Sequence, residues 1–514
     1  MKYVPTIGIE VHAQLMTRSK LFCGCSTRFA AAPNHNTCPV CLGFPGVLPV
    51  LNRSAVEMVI KTALALNCEI PALSRFARKN YFYPDLPKAY QISQYELPIG
   101  RNGWLAVEAG GGTKRVRINR VHLEEDAGKL IHEGGDVSCV DYNRAGVPLM
   151  EIVTEADIEN SEDAAAYLTS LRTLLMYIEV CDGNMEEGSL RCEPNVSLRP
   201  ADADVRGTKT ELKNLNSFKA VRRGLEYEIE RQRGILESGG AVVQETRRWD
   251  EASQTTRPMR SKEEAHDYRY FPEPDLVPLE VGTEWQDELK KGLPEMPWEK
   301  KRRFMHATFN GYKISGGEYA LPEEDADRLT SSRPLADYFE KIIKASPEET
   351  KIDVTREGAA AVRGDLEPQF IFPLYYKTVS NWVLNELLGA LNESGKTIEE
   401  CPIKPEDFAK LLDLIRQKKI SGRIAKDVFK EMFATGKNPE DIVGERDLTQ
   451  TTDVSEILKV VRRVIEANPG PVSDYRAGKK KALGFLMGQA MKETKGKADP
   501  VIVSRILREF LEGT

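Results

Sequence analysis

The sequence predicts an α+β fold in which a strand-bearing region reaching to about residue 290 is followed by a region built from helices. Alternation of apolar and polar side chains with period 2 recurs at residues 6–15, 116–129, 191–199 and 207–218, and residues 150–154 add a short apolar strand with Glu151. After Pro278 the alternation stops and charged segments of helical period take over, which sets a domain boundary near residue 290. A second break falls at Pro402 to Pro405. No repeat period and no low-complexity segment stands out.

Composition sets the broad class. With 514 residues the chain can bury two to four domain cores, and 29% charged against 41% hydrophobic residues is the balance of a globular protein. A net charge of −6 gives no global case for nucleic-acid binding, so such a contact requires a local basic patch. No apolar run is long enough to cross a bilayer, and the N-terminus lacks a basic-then-apolar signal segment. The expectation is a cytoplasmic protein without a membrane partner. Nine cysteines do not pair evenly and four cluster early, which fits metal binding in a reducing compartment better than disulfides.

The first strand, TIGIEVHAQL, has Ile7, Ile9, Val11, Ala13 and Leu15 on one face and Glu10 and His12 on the other. Residues two apart on a strand project the same way, about 7 Å apart. The pair suits a shared cation, an acid/base function or an ordinary amphipathic strand. Cys23, Cys25, Cys38 and Cys41 form a C-x-C-x12-C-x-x-C array with Gly24, Pro39 and Gly43 at its turns. Four soft ligands imply tetrahedral zinc ahead of an iron-sulfur cluster, and a full set of protein ligands makes the site structural. His35 in the intervening loop could replace one cysteine.

Residues 52–67 read as a helix capped by Asn52 or Ser54, and 77–94 as loop and short strand, because two prolines forbid a long helix. The latter mixes Tyr81 and Tyr83 with Lys79 and Lys88, a loop chemistry suited either to ligand stacking and phosphate contact or to an aromatic core turn. In VRINRVHLEEDAGK, Glu125 continues the apolar face of Val121 and Leu123, while His122 and Glu124 point the other way. A carboxylate on an apolar face must be paired or metal-bound, so Glu125 is a ligand candidate. Residues 161–180 and 217–236 read as helices with narrow buried stripes. The strands carrying Glu151, Arg191 and Lys209, Glu211, Lys213 repeat the design of one apolar and one ionic face. Several such strands suggest a sheet whose polar face lines a site for phosphate and metal. No phosphate-loop pattern occurs, so a nucleotide would rest on that platform. DYRYFPEPD, with Arg269, supplies a second aromatic wall or a rigid linker.

The 110 residues from Pro405 to Thr514 carry 21 Lys and Arg against 17 Asp and Glu, locally +4. Lys418, Lys419, Arg423 and Lys426 form one basic cluster and Lys479, Lys480 and Lys481 another, as RNA-backbone contacts or solvated helix faces.

Taken together, GIEVH, NYFYPDLPKAYQISQ, HLEEDAGK, MEEGSLRC, GTKTELKNLNSF, DYRYFPEPD and the tail segments ISGRIAKDVF and GKKKALGFLMGQ closely resemble the B subunits of the tRNA-dependent amidotransferases, over essentially the whole chain. The resemblance implies a glutamine-synthetase-like cradle domain with a mainly antiparallel sheet at 1–292, carrying the cysteine insert at about 23–41. It further implies an all-α helical domain at 293–403 and an all-α, tRNA-contacting tail at 404–514. In such proteins ATP phosphorylates the side-chain carboxylate of mischarged Glu-tRNA(Gln) or Asp-tRNA(Asn), and ammonia from a partner glutaminase then displaces phosphate. The implied cofactors are ATP, Mg2+ and a structural Zn2+. The implied partners are the amidotransferase's glutaminase (amidase) component, its small third component, and tRNA(Gln) or tRNA(Asn).

The family's metal positions fall on Glu10, His12, Glu125 and Glu193. Relatives often carry Asp at the last of these, and Glu is one methylene longer. Lys79, Tyr81, Tyr83, Lys88, Glu151, Glu187, Ser189, Arg191, Lys209, Glu211, Lys213 and Arg269 are the candidate substrate and nucleotide contacts. The rival class is a non-catalytic, zinc-stabilised tRNA-binding subunit, resting on the cysteine array and basic tail. The segment 350–375 is longer than the usual pattern and receives no function.

Overall fold

The computed structural model describes residues 2–512 except 133–136, 203–204, 262–267, 306, 310–311, 315–318, 320, 348–373, 450–453 and 495. The unassigned segment therefore lies, up to residue 373, outside the described residues. Two compact units divide the chain at Met1–Met296 and Pro297–Thr514.

An eight-stranded sheet organises the first unit. In chain order its strands are β1 (Tyr3–Gln14), β2 (Gly100–Ala109), β3 (Gly112–Glu125), β4 (Pro148–Thr154), β5 (Leu190–Pro200), β6 (Thr210–Lys213), β7 (Glu245–Asp250) and β8 (Thr255–Ser261). They lie in the order β8-β7-β6-β5-β1-β4-β3-β2, so β1 is central. Every neighbouring pair is antiparallel except β6 and β7, whose parallel pairing requires a crossover. Helix α3 (Phe218–Glu237) is that crossover, and two further helices, α1 (Arg53–Ala65) and α2 (Ser161–Tyr177), join it against the sheet.

Local chemistry starts each helix. The Asn52, Asn160 and Ser217 side chains accept hydrogen bonds from the third residue onward, satisfying a backbone N–H that the helix leaves unpaired. The core lies between these helices and the apolar strand face, with Ile7, Ile9, Val11, Val121, Leu123, Val196 and Leu212 fully or almost fully buried. At Gly103 of β2 the backbone runs so close to α1 that a Cβ would meet the Leu66 carbonyl oxygen at 2.6 Å, so only glycine fits. The opposite strand face is left to polar side chains. Above it stands a small sheet of Ala77–Asn80, Tyr90–Ser93 and Phe271–Pro272.

The described second unit consists of helices apart from one short hairpin, Ala307–Phe309 with Tyr312–Ile314. One apolar cluster runs from Phe304 to Val443 and includes Leu335, Phe339, Val379, Val383, Phe408 and Phe429. Residues on both sides of Pro402 share it. A separate cluster gathers Ile457, Val461, Leu486, Val503, Ile506 and Leu507. The helix Arg333–Ala345 buries Leu335, Phe339, Ile342 and Ile343 in the first cluster. No described helix is long and apolar enough to cross a membrane.

Candidate active site

The register of the central strands builds the site. Glu10 on β1 pairs across with Glu193 on β5, His12 lies between Glu151 on β4 and Arg191 on β5, and Glu151 pairs onward with His122 on β3. Asn195 of β5 pairs with Glu211 of β6. One polar row thus crosses five adjacent strands on the face opposite the core. It floors a cleft of about 720 Å³ whose walls include Lys79, Tyr81, Tyr268 and Tyr270.

Two groups of ligand-type atoms converge there. In the first, the His12 Nε2 atom lies 3.8 Å from Glu124 and 3.7 Å from Glu151. His122 backs this group from the buried side, 3.4 Å from Glu124 and 3.2 Å from Glu151. Ser93 donates to Glu124 at 2.9 Å. In the second, Glu10, Glu193 and Glu211 face one another within 4.8 Å. Asn195 donates to Glu10 at 3.0 Å and Thr246 to Glu211 at 2.8 Å. Lys213 bridges Glu193 at 2.5 Å and Glu211 at 3.4 Å. A cation with bonds of about 2.1 Å holds its ligands about 3 to 4 Å apart, so both groups have the spacing to share one.

Electrostatics keeps Glu124 and Glu151 ionised. Burial alone would raise the Glu151 pKa, but His122, His12 and Arg120 hold it well below the usual range. Glu124 is likewise held down against burial, chiefly by His122. His122 in turn is raised, against its burial, by Glu151 and Glu124. Lys79 keeps its proton despite desolvation because Tyr270, Glu124 and Glu151 surround it, and its ammonium lies 4.7 Å from the Tyr268 ring centre. Lys213 is raised by Glu193 and Glu211 against its burial. Arg120 and Arg191 each bury an Nε that has no hydrogen-bond partner among the described residues.

Of the sequence candidates, Glu10, His12, Glu193, Glu151, Arg191, Lys209, Glu211, Lys213, Lys79 and Tyr81 line this cleft. The extra methylene of Glu193 does not keep its carboxylate from reaching Glu10 and Glu211. Glu125 requires correction: it lies on the other face of β3, away from Glu10 and His12. Its carboxylate accepts from Lys88 and from the Ile92 N–H at 3.0 Å, beside a second cavity lined by Cys23 and Cys41. The buried charge that suggested a metal ligand is neutralised by an ion pair instead, which also removes Lys88 from the cleft.

Tyr83, Glu187 and Arg269 are exposed outside the cleft, with Arg269 in a left-handed conformation whose carbonyl accepts from Asn80. Ser189 is buried and its carbonyl accepts from Gln14 N–H and the Cys181 thiol. Residues not singled out are Glu124, His122, Arg120 and Asp126. The first two were readable as polar positions opposite Val121 and Leu123. Asp126 is held below the carboxylate range against burial by Arg191 and Arg144, and it accepts from Arg191 at 2.9 Å and Gln14 at 2.7 Å.

The four cysteines form one group, with every sulfur within 4.8 Å of the others. Leu42 and Gly43 N–H close a tight turn onto the Cys38 and Val40 carbonyls. Cys38 N–H donates to the Cys41 sulfur at 3.2 Å. The Cys41 thiol is drawn down to about 4, first by the hydrogen bond from Cys23, then by Cys38 N–H and Lys20. A four-sulfur set of this compactness fits zinc. His35 is not among these ligands.

In the second unit the seven basic candidates are exposed, but Lys426 pairs with Glu386 at 2.6 Å and Lys479 with Asp474 at 2.9 Å.

The GatB/GatE catalytic domain family matches residues 5–287, the part of the chain that carries the mixed sheet and its acidic cleft. The GatB domain family matches residues 373–511. The chain is 55% identical to the aspartyl/glutamyl-tRNA(Asn/Gln) amidotransferase B subunit of Caldanaerobacter subterraneus subsp. tengcongensis, over 99% of this chain and all of that one. It is 53% identical to the B subunit from Thermoanaerobacter sp. (99% and 100% covered) and 52% to that of Carboxydothermus hydrogenoformans (99% of each). The chain belongs to the family of B subunits of the aspartyl/glutamyl-tRNA(Asn/Gln) amidotransferases.

Proposed function

We propose that the chain is the kinase and transamidase subunit that converts Glu-tRNA(Gln), Asp-tRNA(Asn) or both to the amidated forms in the cytoplasm. The observation that carries this reading is the pair of carboxylate groups in one cleft, flanked by Lys79, Lys209, Lys213, Arg120 and Arg191.

A free carboxylate is a poor acyl donor because its leaving group would be oxide. Its oxygen therefore attacks the γ-phosphorus of ATP, the bond to the ADP oxygen breaks, and an acyl phosphate forms. Ammonia then attacks the acyl carbon, inorganic phosphate leaves with the electron pair of the C–O bond, and the nitrogen loses a proton. Glu10, Glu193 and Glu211 form an all-oxygen set suited to Mg2+, and His12, Glu124 and Glu151 a mixed set suited to a second divalent ion. Bound there, Mg2+ supplies charge neutralisation for the triphosphate. Lys213, which now neutralises Glu193 and Glu211, is free to turn to a phosphoryl oxygen once a cation takes over that charge. Lys79 and the two arginines offer cationic donors to the equatorial oxygens. The tyrosine wall narrows the cleft and limits water that would hydrolyse the intermediate.

The cysteine group holds a structural Zn2+. Ammonia is supplied by the glutaminase (amidase) component of the amidotransferase, with the small third component completing the assembly. In the same reading the basic clusters of the helical part, from about residue 404 onward, contact tRNA. The test is ATP cleavage by the assembled complex with each mischarged tRNA. Glu124→Gln and Glu211→Gln should each lower it at least 100-fold, and wild-type turnover in either would refute the assignment.

A further inference from the structure

Lys20 is 1% exposed, a rare state for lysine, since removing an ammonium from water is costly unless something compensates. Its Nζ donates to the Tyr142 carbonyl oxygen at 3.2 Å and to the Cys41 sulfur at 3.6 Å. Among the described residues no carboxylate forms an ion pair with it, and Glu125, which lines the same cavity, is paired with Lys88. A carbonyl solvates an ammonium but cannot neutralise it, which leaves the cysteine cluster as the counter-charge.

The backbone ties Lys20 to the same cluster. Its N–H donates to the Cys25 carbonyl at 2.9 Å, and its own carbonyl accepts from the Asn52 amide at 3.2 Å. Gly146, at φ +81°, closes the other side, and a Cβ there would lie 3.5 Å from the Cys41 Cβ, 3.6 Å from a Glu125 carboxylate oxygen already paired with Lys88, and 3.7 Å from the Lys20 Cδ. An apolar side chain would fill this slot without the desolvation cost. The cation is intelligible if the cluster it faces is anionic, and a divalent ion held by four thiolates leaves two negative charges uncompensated.

We infer that Lys20 is a positioning residue for the metal held by Cys23, Cys25, Cys38 and Cys41: its ammonium offsets the surplus thiolate charge at Cys41 and sets how tightly the metal is kept. The inference rests on the metal reading of the cluster. Neighbours that orient and neutralise metal ligands are worth about 10- to 100-fold in affinity.

The test uses the full chain with Zn2+ in competition with a chromophoric chelator, and Co2+ as a spectroscopic probe of the sulfur set. Lys20→Met should weaken Zn2+ binding about 10- to 100-fold, while the Co2+-saturated variant keeps the tetrahedral thiolate spectrum of the wild type. Lys20→Arg, which retains the charge, should recover most of the affinity. In a Cys41→His background, where the neutral imidazole needs no compensation, Lys20→Met should have a clearly smaller effect. Unchanged affinity in Lys20→Met, equal weakening in Lys20→Arg, or an equal effect in both backgrounds overturns the inference. A wild-type chain that binds neither ion overturns the metal reading itself.

Discussion

Glu124 and Glu125 are neighbours in sequence and face opposite sides of β3, so they carry opposite consequences. Glu124 sits with His12 and Glu151 in the cleft, and Glu125 sits under Lys88. Removing one partner of a buried ion pair costs about 3 to 5 kcal/mol, so Glu125→Gln should lower the thermal midpoint while leaving Mn2+ binding to the cleft intact. Glu124→Gln should weaken Mn2+ binding, because it removes a ligand-type carboxylate from the cleft, and undiminished Mn2+ binding in that variant would contradict this division.

Asp126 gives a pH-dependent counterpart. Its folded pKa is depressed, chiefly by Arg191 and Arg144 working against burial. It therefore contributes stability above the ordinary carboxylate pKa of about 3.9 and loses it as pH falls through the folded value. Urea midpoints of Asp126→Asn should be lower than wild type at neutral pH and should converge with it in acid. Which of two adjacent carboxylates belongs to the cleft was partly legible, because alternation put Glu124 on the polar face. The choice of Glu125 failed because Lys88 lies far away in sequence, and local pattern shows that a buried charge needs a partner without showing which.

Elements explain why some strands were legible and others not. β1, β3 and β5 alternate because each has one face in the core and one in the cleft, whereas Leu149 and Val153 make β4 apolar on its cleft face as well; the helices were legible in their apolar stripes and, for α1, in Asn52. β2 is broken by Gly100 and Gly103, which the close approach of α1 requires, and by Asn102, whose backbone is left-handed at φ +54°. β7 reads as a polar run because Arg247 is buried by pairing with Glu245 and hydrogen-bonding to Thr256, a cost met by residues of other turns and strands. The parallel step from β6 to β7 is likewise a tertiary fact. Gly103→Ala should destabilise the first unit by about 1 to 3 kcal/mol through overpacking, read as a lower melting temperature. If zinc occupies the cysteine group, a strong chelator should sensitise the lobe around residues 17–50 to protease while α2 and α3 stay protected, and uniform protection would argue against a structural metal.

At the scale of the whole molecule, the chain divides into two units at Met296 and Pro297, and a sheet with a wet face and a bundle of helices demand different periodicities. The break at Pro402 is a turn between helices that share one apolar cluster, so a proline marks the end of an element without separating cores. The basic tail was visible as charge, but two of its lysines are occupied by carboxylates of their own unit, which the count alone does not show. The central claim is that the cleft makes an acyl phosphate on the substrate carboxylate. Hydroxylamine trapping tests it most directly: the assembled complex is given mischarged Glu-tRNA(Gln), ATP and hydroxylamine, without glutamine. The account predicts a γ-glutamyl hydroxamate on the tRNA that requires ATP and disappears in Glu211→Gln; hydroxamate formed without ATP, or undiminished in that variant, would contradict it.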